Sequence, residues 1–229
     1  MKNNSSDYIC NLIKLSSKLG IDINHEQANK LISYMSYILD CNQYINLTAI
    51  TNEDEFILKH LIDSMIISKL KEYACAKTVI DIGTGAGFPG IPLAVLSSDK
   101  QFLLVDSLLK RVKIVNDGIN LLGLSNVSTV HARGESLKQN TPFKKGADLV
   151  VARAVANMGK LARYTLPNVK KDGFLIALKG PRIDNELQES QEIISKLGGK
   201  IIRVQDLSFG ELKHNAVICK NKVRNQSFL

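Results

Sequence analysis

The chain predicts an α/β fold: a seven-stranded, mostly parallel sheet with helices on both faces, closed by an antiparallel hairpin and preceded by a helical extension. Three observations carry this. Strand and helix patterns alternate from residue 78 to about residue 197, the signature of parallel strands joined by crossover helices. Residues 200–209 and 213–220 then read as two strands with only a Gly-Glu-Leu turn between them, and strands joined so tightly must run antiparallel. Residues 1–70, by contrast, carry apolar side chains at helical spacing.

Taken in order, the extension opens with a helix start at Asn24, with Gln27 three residues on to complete a capping box. Leu31, Ile32, Met35, Ile38 and Leu39 follow on one face. A second start at Thr51 or Asn52 leads through Phe56, Ile57, His60, Leu61, Met65 and Ile66. The chain therefore divides into a helical extension, 1–70, packed on an α/β domain, 71–229. In that domain strands are expected at 78–82, 101–106, 127–131, 147–152 and 173–179. Helices are expected at 90–97, 108–121, 157–166 and 184–197, the last capped by Asp184 and stopped by Gly198 and Gly199. The tail from Asn221 is expected to fray.

Composition narrows the classes of function. The chain has 229 residues, 45% hydrophobic and 23% charged, enough for one domain with a sizeable core and an extension. No apolar run approaches the roughly 20 residues that span a bilayer, and the polar start is no signal peptide. Cys10, Cys41, Cys75 and Cys219 are scattered, with no metal-ligand spacing, as expected of reduced, part-buried thiols in a cytoplasmic protein. A formal net charge of +8 favours an anionic partner, nucleic acid first.

The chemistry is concentrated in VIDIGTGAGFPG, residues 79–90. A buried strand runs into a glycine-dense turn and then a helix start with Pro92 in its first turn, presenting backbone donors and a positive helix end to a nucleotide-like ligand. Two fingerprints fit. Gly85, Gly87 and Gly90 make the G-x-G-x-x-G of a dinucleotide site, with Asp106 19 residues past Gly87 for a ribose hydroxyl. Gly83, Gly85 and Gly87 make the G-x-G-x-G of a class I S-adenosylmethionine (SAM) methyltransferase, with Asp81 ending the first strand. The terminal antiparallel hairpin favours the second, because nicotinamide domains continue with βα units. Gly90 is then a packing residue.

Several blocks, in order, strengthen that choice: INLTAI (residues 45–50), KHLIDSM (59–65), DIGTGAGFPGIPLAV (81–95), VDSLLKRVKI (105–114), RGE (133–135), ARAVA (152–156) and ALKG (177–180). Together they resemble the RsmG (GidB) family, bacterial methyltransferases of guanine N7 in small-subunit ribosomal RNA, over most of the chain. The resemblance implies a class I, Rossmann-like fold, SAM as cofactor, and 16S rRNA or the small ribosomal subunit as partner; no metal and no membrane are expected, from the composition. It places cofactor contacts on Gly83, Phe88, the pair Gly134-Glu135 and Arg153. Family members more often carry alanine where this chain has Gly134, a difference that a backbone contact tolerates.

Each residue has a plainer reading beside the functional one. Asp106, ending the second strand, either bonds both ribose hydroxyls or caps the helix at 108. Glu135 either meets the adenine or caps a loop. Phe88 is a wall against the cofactor or ordinary core. Arg153, ending the fourth strand, either salt-bridges a sheet-edge carboxylate or stands beside the SAM carboxylate or the incoming guanine. Asn46, Thr48, His60, Asp63 and Ser64 either shape the floor of the site or tie down the helices, and the spacing of the last three puts them on one helix face. Lysine and arginine clusters at 110–113, 144–145, 170–171 and 179–182 suit an RNA backbone, and Tyr44 or Phe88 is placed to sandwich a flipped base. The fourth strand lacks the N/D-P-P-Y/F motif of exocyclic amino methyltransferases, and no cysteine has the Pro-Cys context of cytosine-C5 enzymes. Guanine N7 carries an in-plane lone pair and needs neither, so the expected mechanism is positioning, with Arg153 orienting target or cofactor and no general base.

Overall fold

The computed structural model describes residues 5–139, 141–153 and 156–223. Its sheet comprises β1 (Thr78–Ile82), β2 (Gln101–Asp106), β3 (Val127–His131), β4 (Ala147–Arg153), β5 (Val169–Lys179), β6 (Gly199–Asp206) and β7 (Asn215–Asn221). Their spatial order is β3-β2-β1-β4-β5-β7-β6. The first five run parallel, and β7 is antiparallel to both of its neighbours. The chain winds outward from β1 to β3 and then returns to β4 on the other flank of β1. That reversal opens a crevice at the carboxyl ends of β1 and β4, where ligands of such sheets bind.

Ahead of the sheet lie α1 (Ser5–Lys18), α2 (His25–Asn42), α3 (Glu53–Phe56), α4 (Asp63–Met65) and α5 (Lys71–Cys75). The Asn24–Gln27 capping box forms in full, with both side-chain bonds present. Asn52 is the second cap, accepting from the Glu55 N–H. Between α3 and α4 the chain makes a π-helical turn, Ile57–Ile62. Within the α/β part, α6 (Gly90–Leu96), α7 (Leu109–Leu122), α8 (Met158–Thr165) and α9 (Asp184–Lys196) fall within a residue of their expected bounds.

Both sheet faces are covered, and strand alternation assigns side chains to them. Val79, Leu104, Val151 and Ile176 join one apolar cluster with Leu31, Tyr34, Met35, Phe56 and Leu61 of the extension. Ile80, Leu103, Val150 and Leu175 join the other, with Met158, Leu161 and Ile194 of α8 and α9. Each fully buried aliphatic side chain contributes about 1.5–3 kcal/mol, so extension and sheet are stabilised by the same burial. Among the described residues no helix is long and apolar enough to cross a membrane.

Three expectations need correction. Strand β5 begins at Val169, not at 173, because the charged run Lys170-Lys171-Asp172 is absorbed in a bulge that shifts register between Ala147 and Leu149, with Asp172 at φ 63°. Asp184 is the first residue of α9 rather than its cap: the cap position is Ile183, with no side-chain bond. The terminal strands are shorter than expected, and residues 207–214 connect them, closed midway by a Phe209–Leu212 bridge. The thiols also differ: Cys219 is buried and Cys41 half-buried, but Cys10 and Cys75 are exposed.

Candidate active site

The turn after β1 is organised by a buried acid. Asp81 is fully buried, and its Oδ2 accepts from the Thr84 hydroxyl (2.7 Å) and the Gly90 N–H (2.9 Å). Burial pushes its carboxyl up to about 6, against the opposing pull of those two bonds and of the Arg153 charge. Its Oδ1 is buried with no hydrogen-bond partner among the described residues. A Cβ at Gly90 would stand 2.8 Å from Asp81 Oδ2 and from Leu104, so Gly90 is the packing residue expected of a SAM loop. From below, α2 sends in the buried Tyr34, whose hydroxyl donates to Ala86 O at 3.0 Å. Gly87 has φ +88°, and a Cβ there would meet the Tyr34 hydroxyl at 2.3 Å; only glycine fits over that ring.

Beside the turn a cleft of about 240 Å³ opens at the carboxyl ends of β1, β2 and β3, lined by Gly83, Asp106, Ser107, Gly134, Glu135 and Tyr164 among others. The expected cofactor residues Gly83, Asp106, Gly134 and Glu135 thus converge. Asp106 is buried, accepting from Gly85 N–H at Oδ2 and from Leu108 N–H at Oδ1, both 2.9 Å. It therefore ties the glycine turn to the start of α7, and its position on the cleft is compatible with a ribose contact as well, since each carboxylate oxygen has a second acceptor site. Glu135 is exposed on a 3₁₀ turn, Gly134–Gln139. That turn is held by the buried Asn168, which donates to Gly134 O (2.9 Å) and Tyr164 O (2.8 Å). A Cβ at Gly134 would come within 3.0 Å of Tyr164. The mixture of apolar walls and a recessed carboxylate suits an adenosine.

Phe88 and Arg153 sit on the other flank of the turn, in a second cluster. Arg153 Nη1 donates to Asp63 Oδ2 (2.8 Å) and Lys59 O (2.9 Å), and Nη2 meets His60 Nδ1 at 2.9 Å. A guanidinium only donates, so His60 Nδ1 must be the acceptor and the ring proton lies on Nε2, which bonds Thr48 Oγ1 at 2.7 Å. His60 is therefore neutral. Burial first, and the Arg153 charge second, push it down to about 3. Its ring stacks on Phe88 at 4.7 Å and 5°, with Arg153 over Phe88 at 5.5 Å. The π-helical turn contributes here: Asp63 N–H bonds Leu58 O and His60 O, and Lys59 O, its partner in a regular α-helix, accepts from Arg153.

Asp63 completes the cluster. Burial raises its carboxyl, but bonds from His214 Nδ1 (2.5 Å) and Arg153 outweigh this and hold it below its ordinary value. Ser64 is buried behind it, donating to His60 O. Thus Thr48, His60, Asp63 and Ser64 belong to one arrangement around Arg153, whose charge pairs with a carboxylate of the helical extension rather than of the sheet edge.

Other expectations divide. Phe88 is 4% exposed and engaged by His60, whereas Tyr44 is 87% exposed, so only Tyr44 has a free ring face. Lys110, Arg111, Lys113 and Arg182 stand at the cleft end of the sheet, while Lys144 and Lys145 precede β4 and Lys170 and Lys171 lie at the start of β5, and so occupy the opposite end. Lys170 pairs with Asp148, and Lys179 with Glu186. Sequence reasoning missed Tyr34, Tyr164, Asn168 and His214. Among the described residues no group of His, Cys, Asp or Glu is placed to hold a metal.

Comparison with known proteins agrees with this geometry. The family model GidB, described as rRNA small subunit methyltransferase G, matches residues 27–216. A ribosomal RNA small subunit methyltransferase G from Clostridium beijerinckii is 44% identical over 209 residues, 90% of this chain and 87% of that protein. Its counterpart from Clostridium novyi is 40% identical over 97% of this chain and 92% of that protein. Among solved structures, Methanococcus jannaschii TYW2 in complex with AdoMet superposes with a TM-score of 0.51 at 22% identity, over 64% of this chain and 69% of that one. A ribosomal protein L11 methylase from Lactobacillus delbrueckii does so at 0.51 and 17% identity, over 76% and 81%; these two likenesses concern the fold. With the cleft beside a methyltransferase glycine turn, the terminal hairpin and a family match across most of its length, this chain belongs to the GidB family of rRNA small subunit methyltransferases.

Proposed function

We propose that the protein transfers a methyl group from SAM to N7 of a guanine in 16S rRNA of the small ribosomal subunit, in the cytoplasm, by positioning and without a general base. Gly83 and Gly134 offer backbone contacts to the cofactor, Asp106 its ribose contact and Glu135 its adenine contact, with Phe88 and Arg153 bounding the reacting end. SAM bound there supplies a sulfonium methyl, to which the N7 lone pair adds directly as the C–S electrons return to sulfur, with no proton to remove first.

One observation supports the mechanism: of the two titratable side chains against Arg153, His60 has no free lone pair, and Asp63 is held below its ordinary value, a poor base, by a bond on each oxygen. His60 Nδ1 is occupied by Arg153 and its Nε2 is protonated. Both oxygens of Asp63 accept charge-assisted bonds. A base-catalysed reaction would be poorly served by either; a reaction at N7 needs only alignment and exclusion of water. The Arg153 donors that bond nothing among the described residues, with Lys110, Arg111, Lys113 and Arg182 at the same end of the sheet, suit guanine O6 and the RNA backbone respectively.

The test is to incubate the protein with labelled SAM and small subunits lacking the modification, then to map the methylated nucleotide. Methyl transfer to one guanine N7 is the expected result, and no transfer to 16S rRNA in any form would overturn the proposal. Arg153→Ala that kept full transfer at saturating SAM would remove Arg153 from the mechanism.

A further inference from the structure

His214 lies far from every motif block yet reaches the Arg153 cluster. It ends the 207–214 connection, and its backbone O accepts from Leu207 N–H at 2.9 Å, closing that connection on itself. Its Nδ1 then bonds Asp63 Oδ1 at 2.5 Å. Asp63 is only 1% exposed and its other oxygen takes Arg153 Nη1 at 2.8 Å. One carboxylate is thus gripped from the end of β4 and from the connection before β7, while it is itself carried by the helical extension. A buried carboxylate flanked by two donors has little rotational freedom, and a guanidinium held by it, by Lys59 O and by His60 Nδ1 keeps a fixed plane.

We infer that Asp63 and His214 are positioning residues for methyl transfer: His214 orients the Asp63 carboxylate, and Asp63 orients the Arg153 guanidinium at the reacting end of the site. The inference rests on the proposed role of Arg153 and goes beyond it by naming what sets that group's geometry. Neither residue touches the adenosine cleft, so loss of either should slow transfer and leave SAM binding intact.

The test uses the full chain, small subunits lacking the modification and saturating SAM, with SAM affinity measured separately by calorimetry. Asp63→Asn puts an amide N–H against Arg153 or His214, and kcat should fall on the order of tenfold to 100-fold, with SAM Kd unchanged within about twofold. His214→Ala should lower kcat about threefold to tenfold, and His214→Asn, which restores an N–H near the same place, should recover most of that loss. In an Arg153→Ala background, followed under single-turnover conditions, Asp63→Asn should have no further effect, because residues acting as a unit are non-additive. Unchanged kcat in Asp63→Asn, a SAM Kd that weakens in step with kcat, or full additivity with Arg153→Ala would each overturn the inference. If Asp63→Asn does not fold, the two His214 variants carry the test, and equal rates for alanine and asparagine there would overturn it. Full activity in Arg153→Ala alone would instead defeat the prior assignment of Arg153, so the two failures are distinguishable.

Discussion

Replacing Asp81 with asparagine should change how stability depends on pH. The folded carboxyl holds its proton up to about pH 6, against an ordinary value of 3.8. Between those values the unfolded chain has released this proton and the folded chain has not, so the group's contribution to stability falls as pH rises and levels off above about pH 6. At about 1.4 kcal/mol per pH unit, the whole decline is about 3 kcal/mol. The introduced amide does not titrate, and its oxygen can take over both bonds of the present Asp81 Oδ2, from Thr84 and Gly90. Its nitrogen then occupies the site of the unpartnered Oδ1, which adds a roughly constant penalty of about 1–3 kcal/mol. The slope, and not the offset, is therefore diagnostic. Urea unfolding of both proteins from pH 4.5 to 8 should show the variant gaining about 2 kcal/mol on the wild type by pH 7 and nothing more above it. Asp63 and Asp148, held below their ordinary values, act in both proteins and cancel in the difference. Parallel curves across that window would mean that Asp81 is ionised throughout, and the reasoning from its burial would be wrong.

Gly87→Ala should destabilise the fold by about 3 kcal/mol or more and abolish SAM binding, since it adds a Cβ to the Tyr34 contact as well as backbone strain, while Gly85→Ala, at φ +60° with open space around it, should cost about 1–2 kcal/mol; equal losses in thermal unfolding would refute the role given to Tyr34. Tyr34→Phe strips the hydroxyl from Ala86 O, leaving a buried carbonyl unpaired at a cost of about 1–3 kcal/mol, and should weaken SAM affinity in calorimetry without altering the Tyr37–Ile114 bond on the same helix; unchanged affinity would show that the turn holds its shape without this prop.

What was legible in the sequence was whatever local chemistry dictates. The capping box at Asn24, the glycine turn and the strands β1 to β4 follow from side chains within a few positions of one another, and so could be placed to within a residue. The cleft is legible too, but by two routes: Asp106 from its place at the end of the second strand, and Gly83, Gly134 and Glu135 from the resemblance of the motif blocks. The errors lie where tertiary pairing overrides local signals. Lys170-Lys171-Asp172-Gly173 has the composition of a turn, yet Val169 pairs with Ala147 across a bulge. Nothing in the local sequence marks the π-helical turn, which frees Lys59 O for Arg153, a partner 94 positions away. His214 is invisible for the same reason: its partner Asp63 is distant in sequence, and the pattern of residues around it is that of a strand.

These misses share a cause, and it bears on how the site is built. A parallel sheet with its glycine turn supplies the cleft but no walls for the proposed reacting end, which faces the crevice between β1 and β4. Here the walls come from the extension. Tyr34 props the turn from beneath, His60 lies flat on Phe88, and Asp63 holds the Arg153 guanidinium. Each contact joins a residue before 70 to one after 80, and the same apolar cluster runs through both parts. A truncated chain beginning at residue 71 would therefore leave Asp63's partners, Arg153 and His214, without their shared carboxylate, and would expose the Phe88 face that His60 now covers. The extension is then as much a part of the proposed reacting end as the sheet, and the fixed plane of Arg153 depends on their folding together.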